Sequence, residues 1–479
     1  MTGIDFITLS PQIVLLVWAS LLLLADLFIP PTRKGITAVL AAAGLALALG
    51  LELSQIGQHS QAFHGMAVTD GFSVFLNVLF AISGLAGVAV AHDYLKRMDI
   101  LRGEYYVLLL FSVAGMMLMA SAGDLIMVFL ALELLSIPLY ILAGFAVPRP
   151  ESEEAGLKYF LLGAFASGFV LYGTALIYGA TGSTGLADIS VAISGGRAVS
   201  GLLLAGAGLL LVGFGFKTAL VPFHMWTPDV YQGAPAPVTA FMSVGAKAAG
   251  FAALLRIFTL IFPSFAANLS PVLAVLAGLT MLVGNIVAVT QTNIKRMLAY
   301  SSIAHAGYLL MAFVSFGDRA VLQNSVASVL FYLFSYALAS LGAWAVVSAV
   351  ETPDGSQNIA DYAGLAKKSP ALAASMAVFM LAFTGIPPLL GFWGKLYLFR
   401  TAIEGGYTWL AILGLLTSLV SAGYYLRVIV AMYMRPGEAS ASREFWVNLV
   451  PLVCALALIV IGLMPGKLFL WALASVLGG

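Results

Sequence analysis

The chain has 479 residues, 61% of them hydrophobic and 9% charged. An ordinary soluble domain carries about 25% charged residues, so the solvent of most of this surface is lipid, and soluble enzymes and secreted scaffolds are excluded. A net charge of +1 gives no field to attract nucleic acid, and the single cysteine, Cys454, cannot form an internal disulfide, a structural zinc site or an iron–sulfur cluster.

A helix needs about 20 apolar residues to cross a bilayer. Fourteen such stretches follow in order: 11–29, 35–53, 72–91, 105–120, 122–147, 155–180, 201–221, 235–262, 271–290, 297–315, 322–349, 371–399, 407–433 and 446–464. The first is a span rather than a cleaved signal, because no Lys or Arg precedes it and Arg33 and Lys34 follow it. Ser121–Gly123 alone separates the fourth from the fifth. Pro222 interrupts the region after the seventh, and Pro387 and Pro388 sit inside the twelfth. The longest loops, near Ser54–Asp70, Thr181–Ser200 and Glu351–Pro370, read as connectors without chemistry of their own.

Basic residues alternate between loops. The odd loops hold Arg33, Lys34, Lys96, Arg97, Arg102, Arg149, Lys295, Arg296, Lys367, Lys368, Arg435 and Arg443. The even loops and the C-terminal tail hold Arg197, Arg319, Arg400 and Lys467. This bias places the odd loops in the cytoplasm and both termini outside.

Six basic residues remain inside spans, namely Lys158, Lys217, Lys247, Arg256, Lys395 and Arg427, against two acids, Asp26 and Glu133. A charge at the bilayer centre costs on the order of 3 kcal/mol by insertion scales, so such residues usually face a partner or water. Lys247 follows Pro235 by 12 residues, about 18 Å of helix and too deep to reach the interface. Glu133, similarly central, needs a basic neighbour to stay ionised. Lys217 precedes Pro222 by five residues, on a helix whose freed carbonyls would line protein or water. Lys395 belongs to a second proline-broken span. For Lys395 and for Lys158, after the acidic run Glu151–Glu154, a functional role and an interfacial anchor both stand. Arg256 and Arg427 read as anchors near span ends, Asp26 as interfacial. His224 and His305 read either as proton relays or as hydrogen-bonded buried histidines. Interruptions five helices apart imply inverted repeats of helices 4–8 and 9–13. The divisions are three N-terminal helices in 1–100, repeats in 101–265 and 266–440, and one helix in 441–479.

The stretches FLALELLSIPLY, GFGFKTALVPFHMWTPDVYQGAPAPVTAFMSVGAKAAGFAALLR and NIKRMLAYSSIAHAGYLL resemble the proton-translocating antiporter-like subunits of respiratory complex I. The resemblance covers nearly the whole chain. It implies an all-α membrane protein of about 14 transmembrane helices with helices 7 and 12 broken. It also implies proton-translocation roles for Glu133, Lys217, Lys247 and Lys395, and for Lys158 on helix 6. Lys395 departs from the branch with Glu at that position, and a stop at Gly479 departs from the branch with a long lateral helix. What remains is similar to the N branch, related to mitochondrial subunit 2. The three N-terminal helices, which animal mitochondrial versions can lack, favour a bacterial inner membrane or a plastid-like complex. The resemblance further implies a translocase subunit with no cofactor or metal of its own. NADH, FMN, iron–sulfur clusters and quinone would sit in partner subunits, the partners being other membrane subunits. A multisubunit cation/proton antiporter is the alternative. The expected gate is a Glu133–Lys217 pair whose loosening lets a proton pass toward Lys247 and Lys395.

Overall fold

The computed structural model describes residues 3–196, 198–352 and 357–477. Arg197 of the even-loop count, residues 353–356 of the third long loop and Gly479 lie outside them. The order begins α1 (Gly3–Thr8), α2 (Ser10–Asp26), α3 (Gly35–Ser54), α4 (Gly71–Arg97), α5 (Glu104–Ala120), α6 (Leu125–Ala143) and α7 (Pro150–Thr181). It continues with α8 (Leu186–Ser194), α9 (Ser200–Thr218), α10 (Trp226–Gly233), α11 (Ala236–Ile261), α12 (Ala266–Thr290), α13 (Ile294–Phe313) and α14 (Arg319–Val350). The last are α15 (Leu365–Lys368), α16 (Pro370–Thr384), α17 (Leu390–Glu404), α18 (Thr408–Met434), α19 (Phe445–Leu463) and α20 (Pro465–Ala474). Among the described residues 10 helices are long and apolar enough to cross a membrane, and α2, α5 and α16 are shorter apolar helices.

Local chemistry sets the boundaries. Asp70 opens α4 with a reciprocal cap, its carboxylate accepting from Ser73 N at 2.8 Å while Ser73 Oγ accepts from Asp70 N at 3.0 Å. Asp124 caps α6 by accepting from Ile126 N at 2.7 Å. The chain leaves helix after Thr218 and resumes at Trp226, with Pro222 in the gap, and leaves it again between Thr384 and Leu390 around Pro387 and Pro388. The first break starts with Ala219 at φ 62° and the second with Gly385 at φ 91°.

The interior is built on α4, α11 and α14, which are apolar on every side and enclosed by the other helices. The outer helices turn Leu161, Phe165, Leu419 and Val460 outward, as lipid contact requires. Backbones approach closely where glycines face each other: a Cβ on Gly173 would lie 2.9 Å from Gly206 O, and one on Gly156 would lie 2.9 Å from Gly144 Cα.

The connectors are more ordered than the sequence suggests. The first long loop forms a hairpin of β1 (Ser60–Ala62) and β2 (Ala67–Thr69) with Gln61 opposite Val68. The second loop holds α8 and the third α15. After Met464 the chain turns into α20, a helix that the apolar-run criterion was too coarse to separate. Two charges assigned to span ends are buried within the protein. Asp26 is enclosed, with Lys34 and Thr37 each holding its carboxylate at 2.6 Å. Arg256 is no snorkelling anchor: it is 3% exposed and grips Asp70 with two bonds of 2.9 Å. Arg427 donates to Val289 O at 3.2 Å and to Gln291 O, covering the carbonyl end of α12.

Candidate functional site

Three lysines stand inside the bundle without a carboxylate partner among the described residues, each held by hydroxyls, carbonyls and aromatic faces. Lys217, in the last turn of α9 before the break, is 4% exposed. Its amine donates to Ser136 Oγ at 2.7 Å and to Tyr159 OH at 3.2 Å, and sits 5.3 Å from the centre of the Tyr159 ring. Tyr159 itself stacks on Trp226 of α10 at 4.5 Å, so the two sides of the break are tied together across the amine.

Lys247, in the middle of α11, is 2% exposed. Its amine donates to Ser302 Oγ at 2.5 Å and to Ser302 O, and Tyr336 OH donates to the same hydroxyl at 2.8 Å. Gly250 lies one turn further along α11, and its missing side chain makes room for a neighbour: a Cβ there would come within 3.5 Å of Lys217 Cβ and Cγ. Lys217 and Lys247 therefore meet the same stretch of α11.

From Ser302 the polar groups continue along α13. His305 Nδ1 is bonded to Tyr332 OH at 2.5 Å and its Nε2 to Tyr425 OH at 3.1 Å, while Tyr425 OH also meets Ser301 Oγ. One turn on, Tyr308 OH accepts from Asn285 at 3.1 Å, and its ring lies 5.0 Å from the amine of Lys395. Lys395, 4% exposed, donates to Ser418 Oγ at 2.7 Å and to Thr384 O at 3.0 Å. Thr384 ends α16, so this amine binds the carbonyl end of a half-helix, where the helix dipole favours a cation. The interfacial-anchor alternative for Lys395 fails on burial.

Other expected residues stand apart. Glu133 forms no ion pair among the described residues, and its Oε1 has no hydrogen-bond partner there. Lys217 instead binds Ser136, one turn after Glu133 on the same face of α6. The expected contact between Glu133 and Lys217 is thus open in this structure. His224 is buried in the first break, with Nδ1 unpartnered among the described residues and no bond to the row. Lys158 is half-exposed, bridging Glu154 at 2.7 Å and Asp229 at 2.8 Å, while Arg296 holds the other Asp229 oxygen at 2.7 Å. This cluster borders a cavity of about 550 Å³ that Arg149, Gln232 and Glu351 also line.

Sequence reasoning missed one buried pair at that cavity. Lys295, counted with the loop charges, is 1% exposed and bonds Glu351 at 2.9 Å and Ala234 O at 3.1 Å. Neither residue lies inside an apolar run, so only the fold reveals the burial. The tyrosines and serines of the row were equally silent, being ordinary residues of membrane helices. Among the described residues no group of three or more His, Cys, Asp or Glu could hold a metal ion. What the arrangement supplies is a file of proton donors and acceptors buried inside the helix bundle.

The match to known proteins agrees with this chemistry. Residues 122–421 match the family described as NADH:quinone oxidoreductase/Mrp antiporter, TM, a class of membrane-embedded ion-moving subunits. An NADH-quinone oxidoreductase subunit N from Trichlorobacter lovleyi is 48% identical over 97% of this chain and 94% of its own length. Its counterpart from Chloroflexus aggregans is 46% identical over 99% and 98%. A chain of respiratory complex I from Thermus thermophilus superposes with a TM-score of 0.84 at 40% identity, covering 97% of this chain and 100% of that one. The chain belongs to the NADH-quinone oxidoreductase subunit N family.

Proposed function

We propose that this chain is a proton-translocating membrane subunit of an NADH:quinone oxidoreductase. Its route for H⁺ comprises Glu133, Lys217, Lys247, His305 and Lys395. The observation that carries the reading is the row itself: three enclosed amines without ion-pair partners among the described residues, with Lys217 packed against Gly250 one turn from Lys247, and Ser302, His305 and Tyr308 of α13 leading from Lys247 toward Lys395. A structural role would favour closed ion pairs such as Lys295–Glu351. An unpaired amine that can pass its proton to a hydroxyl or water suits transport. NADH, flavin, iron–sulfur centres and quinone belong to partner subunits, and other membrane subunits of the same complex are its neighbours.

In this proposal the chain crosses a bacterial inner membrane fourteen times with both termini periplasmic. The inverted repeats are helices 4–8 and 9–13 by span number, divided as 101–265 and 266–440. The two broken helices support the repeats because each places one lysine beside its break. Lys158 and the acidic cavity stand at the odd-loop end, where protons would be collected, and His224 lies off the route.

Closing Glu133 onto Lys217 favours a charged amine, and opening the contact favours release of its proton. Moving one charge against the membrane potential costs about 2.3 kcal/mol per 100 mV. One pKa unit supplies only about 1.4 kcal/mol, so several coupled groups must shift together. The test is Lys247→Ala in the whole complex reconstituted in vesicles. NADH-driven acidification should fall about tenfold or more with assembly intact. Full acidification takes Lys247 out of the route and overturns the translocation reading that rests on the row. Sodium-for-proton exchange by the isolated subunit would favour the antiporter reading instead.

A further inference from the structure

A second buried acid lies outside the row. Glu52, in the last turn of α3, is 0% exposed. Asn77 Nδ2 of α4 donates to its Oε1 at 2.9 Å, and Gln12 Nε2 of α2 approaches the same oxygen at 3.5 Å. Gln12 Nε2 also donates to Ser121 Oγ at 3.2 Å, at the end of α5. The groups facing Glu52 from α2, α4 and α5 are therefore neutral, and no cation forms an ion pair with it among the described residues. Its other oxygen, Oε2, has no hydrogen-bond partner there, and neither have Gln12 Oε1 and Asn77 Oδ1.

This cluster has a surplus of acceptors. An ionised carboxylate only accepts hydrogen bonds, so it would leave these oxygens competing for too few donors. A protonated carboxyl adds the missing O–H. The same cluster is tied to an open end of the molecule. Ser121 follows Ala120, whose carbonyl accepts from Arg256 Nη2 at 2.8 Å, and Arg256 holds Asp70. Asp70, with Gln58 and His59, lines a cavity of about 240 Å³. Arg256 is on α11, nine residues beyond Lys247. Every one of these groups belongs to the end formed by the even loops, opposite the cavity at Lys158.

We propose that Glu52 is a proton-binding site of the transport cycle, separate from the lysine row, which takes up and releases H⁺ at the even-loop end. The inference rests on the proton-translocating reading above. A merely structural hydrogen-bond centre would be served equally by an amide of the same shape, and this separates the two roles.

The experiment compares Glu52→Gln, Lys247→Ala and the unaltered chain in the whole complex, reconstituted in vesicles and driven by NADH. Glu52→Gln should assemble normally and lower the acidification rate by roughly tenfold. Normal acidification with Glu52→Gln, while Lys247→Ala is impaired, overturns the inference and leaves the pump intact. Normal acidification in both overturns the translocation reading as well. If Glu52→Gln does not assemble, the unaltered complex is treated with dicyclohexylcarbodiimide, an apolar reagent for protonated carboxyls, and Glu52 is followed by peptide mass spectrometry. Modification that declines as pH rises supports the inference, and no modification at any pH overturns it.

Discussion

At the residue scale, the proposed row requires each amine to have a partner that can give way. Ser302 receives Lys247 through both its hydroxyl and its carbonyl. Ser302→Ala removes the hydroxyl and keeps the carbonyl. We expect NADH-driven acidification to fall several-fold with Ser302→Ala, less than with Lys247→Ala, a ranking that one set of reconstituted vesicles would check. Lys295–Glu351 behaves in the opposite way, because both charges are buried and already paired with each other. Removing one partner of such a pair costs about 3–5 kcal/mol, whereas replacing both with apolar residues of similar volume is often neutral. Lys295→Met should therefore reduce the chain recovered in the assembled complex. Lys295→Met combined with Glu351→Leu should restore it, as immunoblots of purified complex would show. The sequence made Lys217, Lys247 and Glu133 conspicuous because a charge in oil is costly. It could not display Ser136, Ser302 or Tyr336, which are ordinary residues of membrane helices, and so it gave no sign that Ser136 holds the Lys217 amine while the contact with Glu133 stands open.

At the element scale, the two broken helices each set a lysine beside the break, Lys217 held by hydroxyls and Lys395 by the exposed carbonyl of Thr384. They differ in how they turn. Gly385 begins its break at φ 91°, and a Cβ there would stand 3.1 Å from Lys395 Cδ. A side chain at that position meets both a left-handed backbone and the lysine stem. Gly385→Ala should cost on the order of 1–2 kcal/mol and displace Lys395 from Thr384 O. A lower melting temperature of the complex together with reduced acidification would be the signature. Ala219 carries the same kind of strain at φ 62° with no glycine to relieve it. Ala219→Gly should raise the melting temperature slightly, because relief of about 1–2 kcal/mol of left-handed strain exceeds the roughly 0.4–1 kcal/mol of added freedom in the unfolded chain. Prolines 222, 387 and 388 announced both breaks in the sequence. Which residue would turn the chain was not legible, because the left-handed position depends on where the last helical bond is made.

For the whole molecule, the apolar runs correspond one by one to helices or helix pairs of the structure, although composition alone could not place α8, α20 or the hairpin. Lateral packing is set by glycines and by enclosed helices such as α11 and α14, and hydropathy does not distinguish those from lipid-facing ones. The asymmetry of charge carries a claim about the membrane that helix positions do not contain. Arg33, Lys96 and Arg443 fall in odd loops, and Gln58 falls in the first even loop. Cys454 is buried, so an introduced thiol stands against a quiet background. In spheroplasts, Gln58→Cys should react with a membrane-impermeant maleimide added outside. Ser440→Cys, at an exposed position between Arg435 and Arg443, should react only after the membrane is opened. The reverse pattern would invert the molecule. It would place the Lys158 cavity on the outer face and Glu52 on the inner one, exchanging the ends assigned to proton uptake and release.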